Sequence, residues 1–136
     1  MTERILVVED NERNLKLVRD VLKFAGYDVI FARSGEQGVA LAREHLPNLV
    51  LMDLQLPTID GAEALRLLRA DPRTRKVPVV AVTALAMKED RDRALRAGFD
   101  GYIEKPISVR ALPEQVRGFL NEGEHRDERG SYRPGG

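Results

Sequence analysis

The chain of 136 residues contains no cysteine and only two histidines. The absence of cysteine excludes disulfides and thiolate metal sites, and the scarcity of histidine argues against a metal centre built on imidazole. No apolar run approaches the roughly 20 residues that span a bilayer. The apolar run near the N-terminus is also too short for a secretory signal. We therefore expect a cytoplasmic protein.

The chain also lacks a surplus of charge, because 22 basic and 22 acidic side chains cancel. Binding to nucleic acid or to an anionic membrane calls for a basic surplus. We therefore expect neither direct nucleic-acid binding nor membrane association. Hydrophobic residues make up 43% of the chain, which is ordinary for a globular protein, and the length suggests one domain.

Short apolar runs rich in β-branched residues alternate with amphipathic stretches. This alternation predicts an α/β fold with a five-stranded parallel sheet and right-handed crossovers. The predicted strands cover residues 5–8, 29–31, 49–52, 79–82 and 102–103. Capping patterns predict where helices begin, at Ser34 with Gln37, at Asp60 with Glu63, and at Ser108. Helix ends are predicted at Gly26, Leu46-Pro47 and Gly98.

The composition changes after Asn121. From residue 122 to residue 136 the one apolar side chain of any size is Tyr132, and charges of both signs are mixed. We interpret residues 1–120 as the folded domain and residues 121–136 as a disordered tail. A docking peptide is the alternative interpretation of this segment.

Four of the predicted strands end in residues that can hold a cation or a phosphate. Glu9 and Asp10 follow the first strand, Asp53 the third, Thr83 the fourth and Lys105 the fifth. In a parallel sheet flanked by helices, ligand sites form beyond the carboxyl ends of the strands. If these strands are neighbours, three carboxylates, a hydroxyl and an ammonium converge at one edge.

The three acids predict a site for a hard cation. Carboxylates gathered at one edge repel one another, and a bound cation explains why they are there. Mg²⁺ prefers oxygen ligands and takes one or two protein carboxylates. Asp10 and Asp53 are the predicted direct ligands, together with the backbone carbonyl of Gln55. Glu9 is predicted to hold a metal-bound water.

Asp53 is the candidate nucleophile, because a carboxylate can accept a phosphoryl group and form an aspartyl phosphate. Such transfer depends on positioning and on neutralising charge. The Lys105 ammonium and the Thr83 hydroxyl are suited to phosphoryl oxygens. Each residue alone has a simpler interpretation, such as a helix cap for residues 9–11 or a turn for Asp53. The ordered set favours the joint site.

Five motifs resemble the receiver domain of two-component response regulators. They are VVEDN at 7–11, LMDLQLP at 51–57, DG at 60–61, VTA at 82–84 and YIEKP at 102–106. The resemblance spans about residues 3 to 120. Residues 83–88 and 105–108 are most similar to stand-alone receivers of the cell-polarity and cell-cycle class and to receivers of hybrid kinases. The implied fold is flavodoxin-like, or CheY-like, with strand order 2-1-3-4-5.

The resemblance implies a role for each matching residue. Asp53 would be the phosphorylated residue, and Lys105 would bind the phosphate. Glu9 and Asp10 would be the acidic pair that binds Mg²⁺, with the Gln55 carbonyl as a third protein ligand.

The resemblance also implies a conformational switch. Thr83 would be the switch hydroxyl and Tyr102 the switch aromatic, with Ala84 next to Thr83 in the switch loop. The family also has a cis peptide bond at the position between Lys105 and Pro106.

The implied function is that of a single-domain response regulator in a phosphorelay. A histidine kinase or a histidine phosphotransfer protein would donate the phosphoryl group. A downstream regulatory protein would bind the face formed by the fourth helix, the fifth strand and the fifth helix. The protein would not be an enzyme beyond phosphorylating itself from small donors and dephosphorylating itself.

Three other functions compete with this interpretation. A phosphatase with an aspartyl nucleophile needs a second acid two residues on, where this chain has Gln55. A flavin or nucleotide carrier needs a phosphate-cradling glycine loop after the first strand, where this chain has acids. A receiver-like scaffold that is never phosphorylated stays open on sequence grounds.

Overall fold

The structure is a computed structural model that describes residues 2–84 and 87–129, with side chains described as far as residue 122. Strands and helices alternate along it. They are β1 (Arg4–Val8), α1 (Glu12–Phe24), β2 (Asp28–Ala32), α2 (Gly35–His45), β3 (Leu49–Asp53), α3 (Gly61–Ala70), β4 (Val79–Thr83), α4 (Lys88–Ala97), β5 (Gly101–Glu104) and α5 (Leu112–Arg129). The strands are parallel in the order β2-β1-β3-β4-β5, which confirms the predicted fold.

The central strands are buried on both faces, as their continuous apolar runs predict. Ile5 and Val7 of β1 face one core, which α1 and α5 cover. Leu6 and Val8 face a second core, which α2, α3 and α4 cover. Because alternate residues serve opposite faces, the sheet separates the two cores.

Local signals set most helix boundaries where the sequence predicts them. Ser34 Oγ accepts a hydrogen bond from the backbone N–H of Gln37 at 3.1 Å, and Asp60 Oδ1 accepts one from that of Glu63 at 2.9 Å. Gly98 follows α4 with a φ of 111°, in the left-handed region that glycine adopts without strain.

The fifth helix differs from the prediction at both ends. Ser108 Oγ accepts from the backbone N–H of Ala111 at 3.1 Å, but this cap forms a turn and α5 begins only at Leu112. The helix then continues past residue 120 to Arg129, through part of the segment that the sequence predicts to be a disordered tail. Glutamate and arginine recur there, and both are good helix formers. Residues 130–136 of the predicted tail lie outside the described residues.

None of the described helices combines the length and the apolar character that are needed to cross a membrane.

Candidate functional site

The strand register brings the predicted site residues to one edge of the sheet. Val8 pairs with Met52, so Glu9 and Asp53 come next on neighbouring strands. On the other side of β3, Asp53 pairs with Val82, which precedes Thr83. The sites that the sequence placed after separate strands are therefore adjacent in space.

Three carboxylates form a cluster at this edge. Glu9, Asp10 and Asp53 each offer an oxygen atom, and these atoms lie within 4.8 Å of one another. Glu9 and Asp53 are buried residues, at 4% exposure each, whereas Asp10 is exposed. The cluster is therefore closed on the protein side and open to solvent at Asp10.

Lys105 neutralises part of this negative charge. Its Nζ donates a hydrogen bond to Asp53 Oδ2 at 2.8 Å and lies 2.8 Å from Glu9 Oε1. The lysine side chain is itself only 18% exposed, so these ion pairs are weakly screened by water. A single ammonium thus joins two acids that lie far apart in the sequence.

Backbone amides fix the other oxygens of the same two acids. The N–H of Gln55 donates to Asp53 Oδ1 at 2.9 Å, and the N–H of Asn11 donates to Glu9 Oε2 at 3.0 Å. Each carboxylate is therefore held by one amide and one ammonium, which sets the direction of its oxygens.

Burial and hydrogen bonds together shift the pKa values of Glu9 and Lys105. Burial raises the pKa of Glu9 above its usual range, and the nearby charge of Asp53 adds to this, although hydrogen bonds from Lys105 and Asn11 oppose it. For Lys105, burial lowers the pKa, but the hydrogen bonds to Asp53 and Glu9 outweigh burial and leave the pKa raised. The lysine therefore stays cationic at neutral pH.

The acidic cluster fits a hard divalent cation. Oxygen ligands of one Mg²⁺ lie about 2.1 Å from the ion, and hence no more than about 4.2 Å from one another. Carboxylate oxygens that lie within 4.8 Å of one another fit one such ion when two acids bind it directly and the third through water. The predicted contribution of the Gln55 carbonyl stays a prediction.

The connection from β5 to α5 is tied to β4. The backbone N–H of Lys105 donates to the carbonyl of Thr83 at 2.8 Å. The peptide bond between Lys105 and Pro106 is cis, as the resemblance implies. The backbone of Lys105, from which its side chain extends to the acidic cluster, therefore lies beside Thr83.

The predicted switch residues lie on the same face of the sheet. Thr83 is fully buried, and β4 pairs with β5 so that Thr83 is opposite Glu104, two residues from Tyr102. Tyr102 packs against the second core, and its buried hydroxyl has no hydrogen-bond partner among the described residues. Ala84 is exposed, and residues 85 and 86 lie outside the described residues.

Sequence reasoning missed a clamp on the loop that follows Asp53. Thr58 has a φ of 63°, in the left-handed region that β-branched residues avoid. Its hydroxyl lies 2.7 Å from a carboxylate oxygen of Glu36 at the start of α2. Glu36 and Thr58 carry no local pattern that would announce this contact.

Comparison with known proteins assigns the family. Residues 5–117 match the response regulator receiver domain. The chain belongs to the response regulator receiver family. Membership of this family argues against two of the alternative functions, the aspartyl phosphatase and the flavin or nucleotide carrier.

Among receivers, a similar curated relative is the polar-differentiation response regulator DivK of Brucella ovis. It is 47% identical over 122 residues, which cover 90% of this chain and 99% of the relative. The DivK protein of Brucella anthropi is 45% identical over the same coverage. These matches confirm the resemblance to cell-polarity receivers.

Solved receivers have the same fold. A CheY-like receiver domain protein of Methanospirillum hungatei JF-1 superposes with a TM-score of 0.82 at 33% identity, covering 93% of this chain and 99% of that one. The receiver domain of the sensor histidine kinase PA1611 of Pseudomonas aeruginosa PAO1 gives a TM-score of 0.81 at 35% identity, covering 89% and 99%. The latter structure has a magnesium ion coordinated in its active site cleft.

Proposed function

We propose that this receiver accepts a phosphoryl group on Asp53 from the phosphohistidine of a histidine kinase or a histidine phosphotransfer protein. The observation that carries the proposal is the arrangement around Asp53. Its carboxylate is buried, is held by Lys105 and the Gln55 amide, and lies beside two further acids that a cation would join. An aspartate that serves only as a surface turn residue would be exposed to solvent and would not be surrounded by a partly buried lysine and two further acids.

The acidic cluster would hold Mg²⁺. Asp10 and Asp53 would bind the ion directly with the Gln55 carbonyl, and Glu9 would bind it through water. The ion would supply positive charge for the phosphoryl oxygens. The magnesium ion in the related PA1611 receiver supports this assignment.

The chain's own residues prepare Asp53 for transfer. A carboxylate oxygen of Asp53 forms the bond to phosphorus while the phosphorus–nitrogen bond to the donor histidine breaks, and the electron pair returns to the imidazole nitrogen. Lys105 leaves its ion pair with Glu9 and Asp53 to neutralise a phosphoryl oxygen. Since the Gln55 amide holds the other Asp53 oxygen, the nucleophile keeps its orientation.

Phosphorylation would act as a switch through Thr83 and Tyr102. The new phosphoryl oxygens give the Thr83 hydroxyl an acceptor, and the loop with Ala84 moves towards Asp53. Tyr102 then takes up the space that this movement leaves. The energy comes from the contacts that phosphate makes in one state and not in the other.

The output would be a protein contact made in the cytoplasm. The face formed by α4, β5 and α5 adjoins Tyr102, so a downstream regulatory protein that binds there would sense the switch. The protein would act as a signalling partner, and its chemistry would be limited to its own phosphorylation and dephosphorylation.

Intact-mass measurement tests the proposal. The protein is incubated with Mg²⁺ and acetyl phosphate, and we expect an added mass of one phosphoryl group. Asp53→Asn should abolish the adduct. Asp20→Asn, which changes an exposed aspartate on α1, should keep it. An unmodified wild-type protein would favour the scaffold that is never phosphorylated.

A further inference from the structure

A cavity of about 410 Å³ lies at the edge of the sheet opposite to the acidic cluster. It is bordered by residues that precede β1, β3 and β4, and by the α5 residue Leu120. Small-molecule sites have volumes of roughly 300–1,000 Å³. Its apolar lining consists of Leu46, Pro47, Pro72, Val77, Pro78 and Leu120. The volume and the mixed polar and apolar lining suit a small organic ligand that has both a polar and an apolar part.

The polar part of the lining is cationic. The loop between α3 and β4 contributes Arg73, Arg75 and Lys76. Arg73 already forms a salt bridge, in which its Nη2 lies 2.8 Å from Asp71 Oδ2. Arg75 and Lys76 make no salt bridge within the part of the chain whose side chains are described, and both are exposed.

Glu3 is the one acid among the described residues that line the cavity. It lies 2.9 Å from Arg117 Nη2, so its charge is already matched. The cavity therefore keeps a surplus of two positive charges from adjacent residues.

The cationic loop is held in place from within. The Arg69 guanidinium donates to the carbonyls of Val77 at 2.6 Å and Arg75 at 3.1 Å. The buried Thr74 hydroxyl donates to the carbonyl of Leu68 at 2.7 Å. The prolines of the lining restrict the backbone further. A ligand would meet a formed site, which lowers the entropy cost of binding.

We infer that this cavity binds a nucleotide. The phosphate groups pair with Arg75 and Lys76, since both side-chain types are suited to phosphate oxygens. The base packs against the proline and leucine side chains, which offer apolar surface. The cavity is at the far edge from Asp53, so binding leaves the acidic cluster free. A nucleotide would be a second input to this receiver.

Titration of the full-length, ¹⁵N-labelled protein tests the inference. Adenosine, inorganic phosphate, AMP and ADP are compared in the presence of EDTA, which keeps metal ions from joining nucleotide and acidic cluster. We expect AMP and ADP to shift the amide signals of residues 46, 48 and 73–77. We also expect them to bind at least about tenfold more tightly than either adenosine or phosphate alone, because each half of the ligand contributes.

Two double variants with the same loss of charge separate a site from general attraction. Arg75→Gln with Lys76→Gln should weaken AMP binding at least about tenfold, the loss expected for one charge-assisted hydrogen bond. Lys23→Gln with Arg96→Gln, at exposed positions outside the cavity, should leave binding unchanged. Amide spectra establish that each variant is folded.

Three results would overturn the inference: no shifts at the cavity, phosphate binding as tightly as AMP, or equal losses in both double variants. Asp53→Asn should bind AMP like the wild type. A failure here therefore leaves the phosphorylation proposal untouched, and the reverse also holds.

Discussion

Lys105 is the residue on which the balance of charge at the site depends. It is the cation that separates the buried carboxylates of Glu9 and Asp53, at 2.8 Å from each. Without it, two acids face each other at low exposure with only backbone amides to hold them. Its role in the metal-free protein is thus to stabilise a cluster that is otherwise repulsive.

Replacement of Lys105 by alanine should therefore destabilise the protein without unfolding it. We expect the free energy of unfolding in EDTA to fall by about 1–3 kcal/mol, the cost of leaving buried charged groups unpaired. Mg²⁺ should reduce this deficit, since the ion supplies the missing charge. Urea unfolding with and without Mg²⁺ measures both effects. A deficit that is equal in the two conditions would contradict the assignment of the metal site.

Asp71, in the loop between α3 and β4, makes the stability of the folded state depend on pH. The hydrogen bond from the Arg73 side chain, followed by that from the Arg73 backbone N–H, lowers the pKa of Asp71 to about 2. A carboxyl with a lowered pKa stabilises the folded state above its ordinary pKa, and this stabilisation is lost as the pH falls through the lowered value.

Asp71→Asn should therefore be less stable than the wild type at pH 7, with a gap that closes as the pH falls from about 4 towards 2. Urea unfolding across this range measures the gap. Asp20→Asn, on the exposed surface of α1, is the control and should show little change of stability. A gap for Asp71→Asn that stays constant with pH would rule out the ion pair as its cause.

At the scale of elements, α3 packs onto the end of β3 through a glycine. A Cβ atom at Gly61 would lie 2.6 Å from the backbone carbonyl oxygen of Asp53 and 3.0 Å from the Cα of Leu54. Backbone atoms cannot yield as a flexible side chain does. The first turn of α3 therefore supports the loop that follows the candidate phosphorylation site.

Gly61→Ala should destabilise the protein by about 1–3 kcal/mol, the usual cost of overpacking. Gly118 provides the matched control, because nothing lies within 4 Å of a Cβ atom at this position in α5. Gly118→Ala should stabilise by up to about 1 kcal/mol through helix propensity. Thermal unfolding of both variants measures the difference, and equal shifts in one direction would contradict the packing account.

The ends of strands and helices differ in how well the sequence predicts them. Strand ends could be predicted because the apolar run and the polar residue after it are adjacent in the chain, as at Met52 and Asp53. The end of α5 could not, because charged residues suit a solvated helix and a disordered tail alike. The contact between Thr58 and Glu36 and the bridge from Lys105 to Glu9 join distant residues with no local pattern.

At the scale of the whole molecule, the sheet connects the acidic cluster to the face of α4, β5 and α5. Thr83 ends β4 next to the site, and Tyr102 lies on β5 on the same face of the sheet. Tyr102 is half-buried with its hydroxyl inside, so it has a defined position from which a movement can be detected.

Beryllofluoride, which mimics the phosphoryl group, should therefore change the amide signals from Thr83 to Tyr102 as well as those beside Asp53. Two-dimensional NMR spectra in Mg²⁺, with and without beryllofluoride, measure the extent of the change. Asp53→Asn should show no response. Changes confined to the residues around Asp53 would contradict the proposed switch.

The central claim is that Asp53, and no other member of the acidic cluster, takes the phosphoryl group. Borohydride reduces an acyl phosphate to an alcohol and so converts the modified aspartate into homoserine. After phosphorylation by acetyl phosphate and reduction, peptide sequencing by mass spectrometry should find homoserine at position 53. Modification of Glu9, of Asp10 or of any other acid in place of Asp53 would contradict the account.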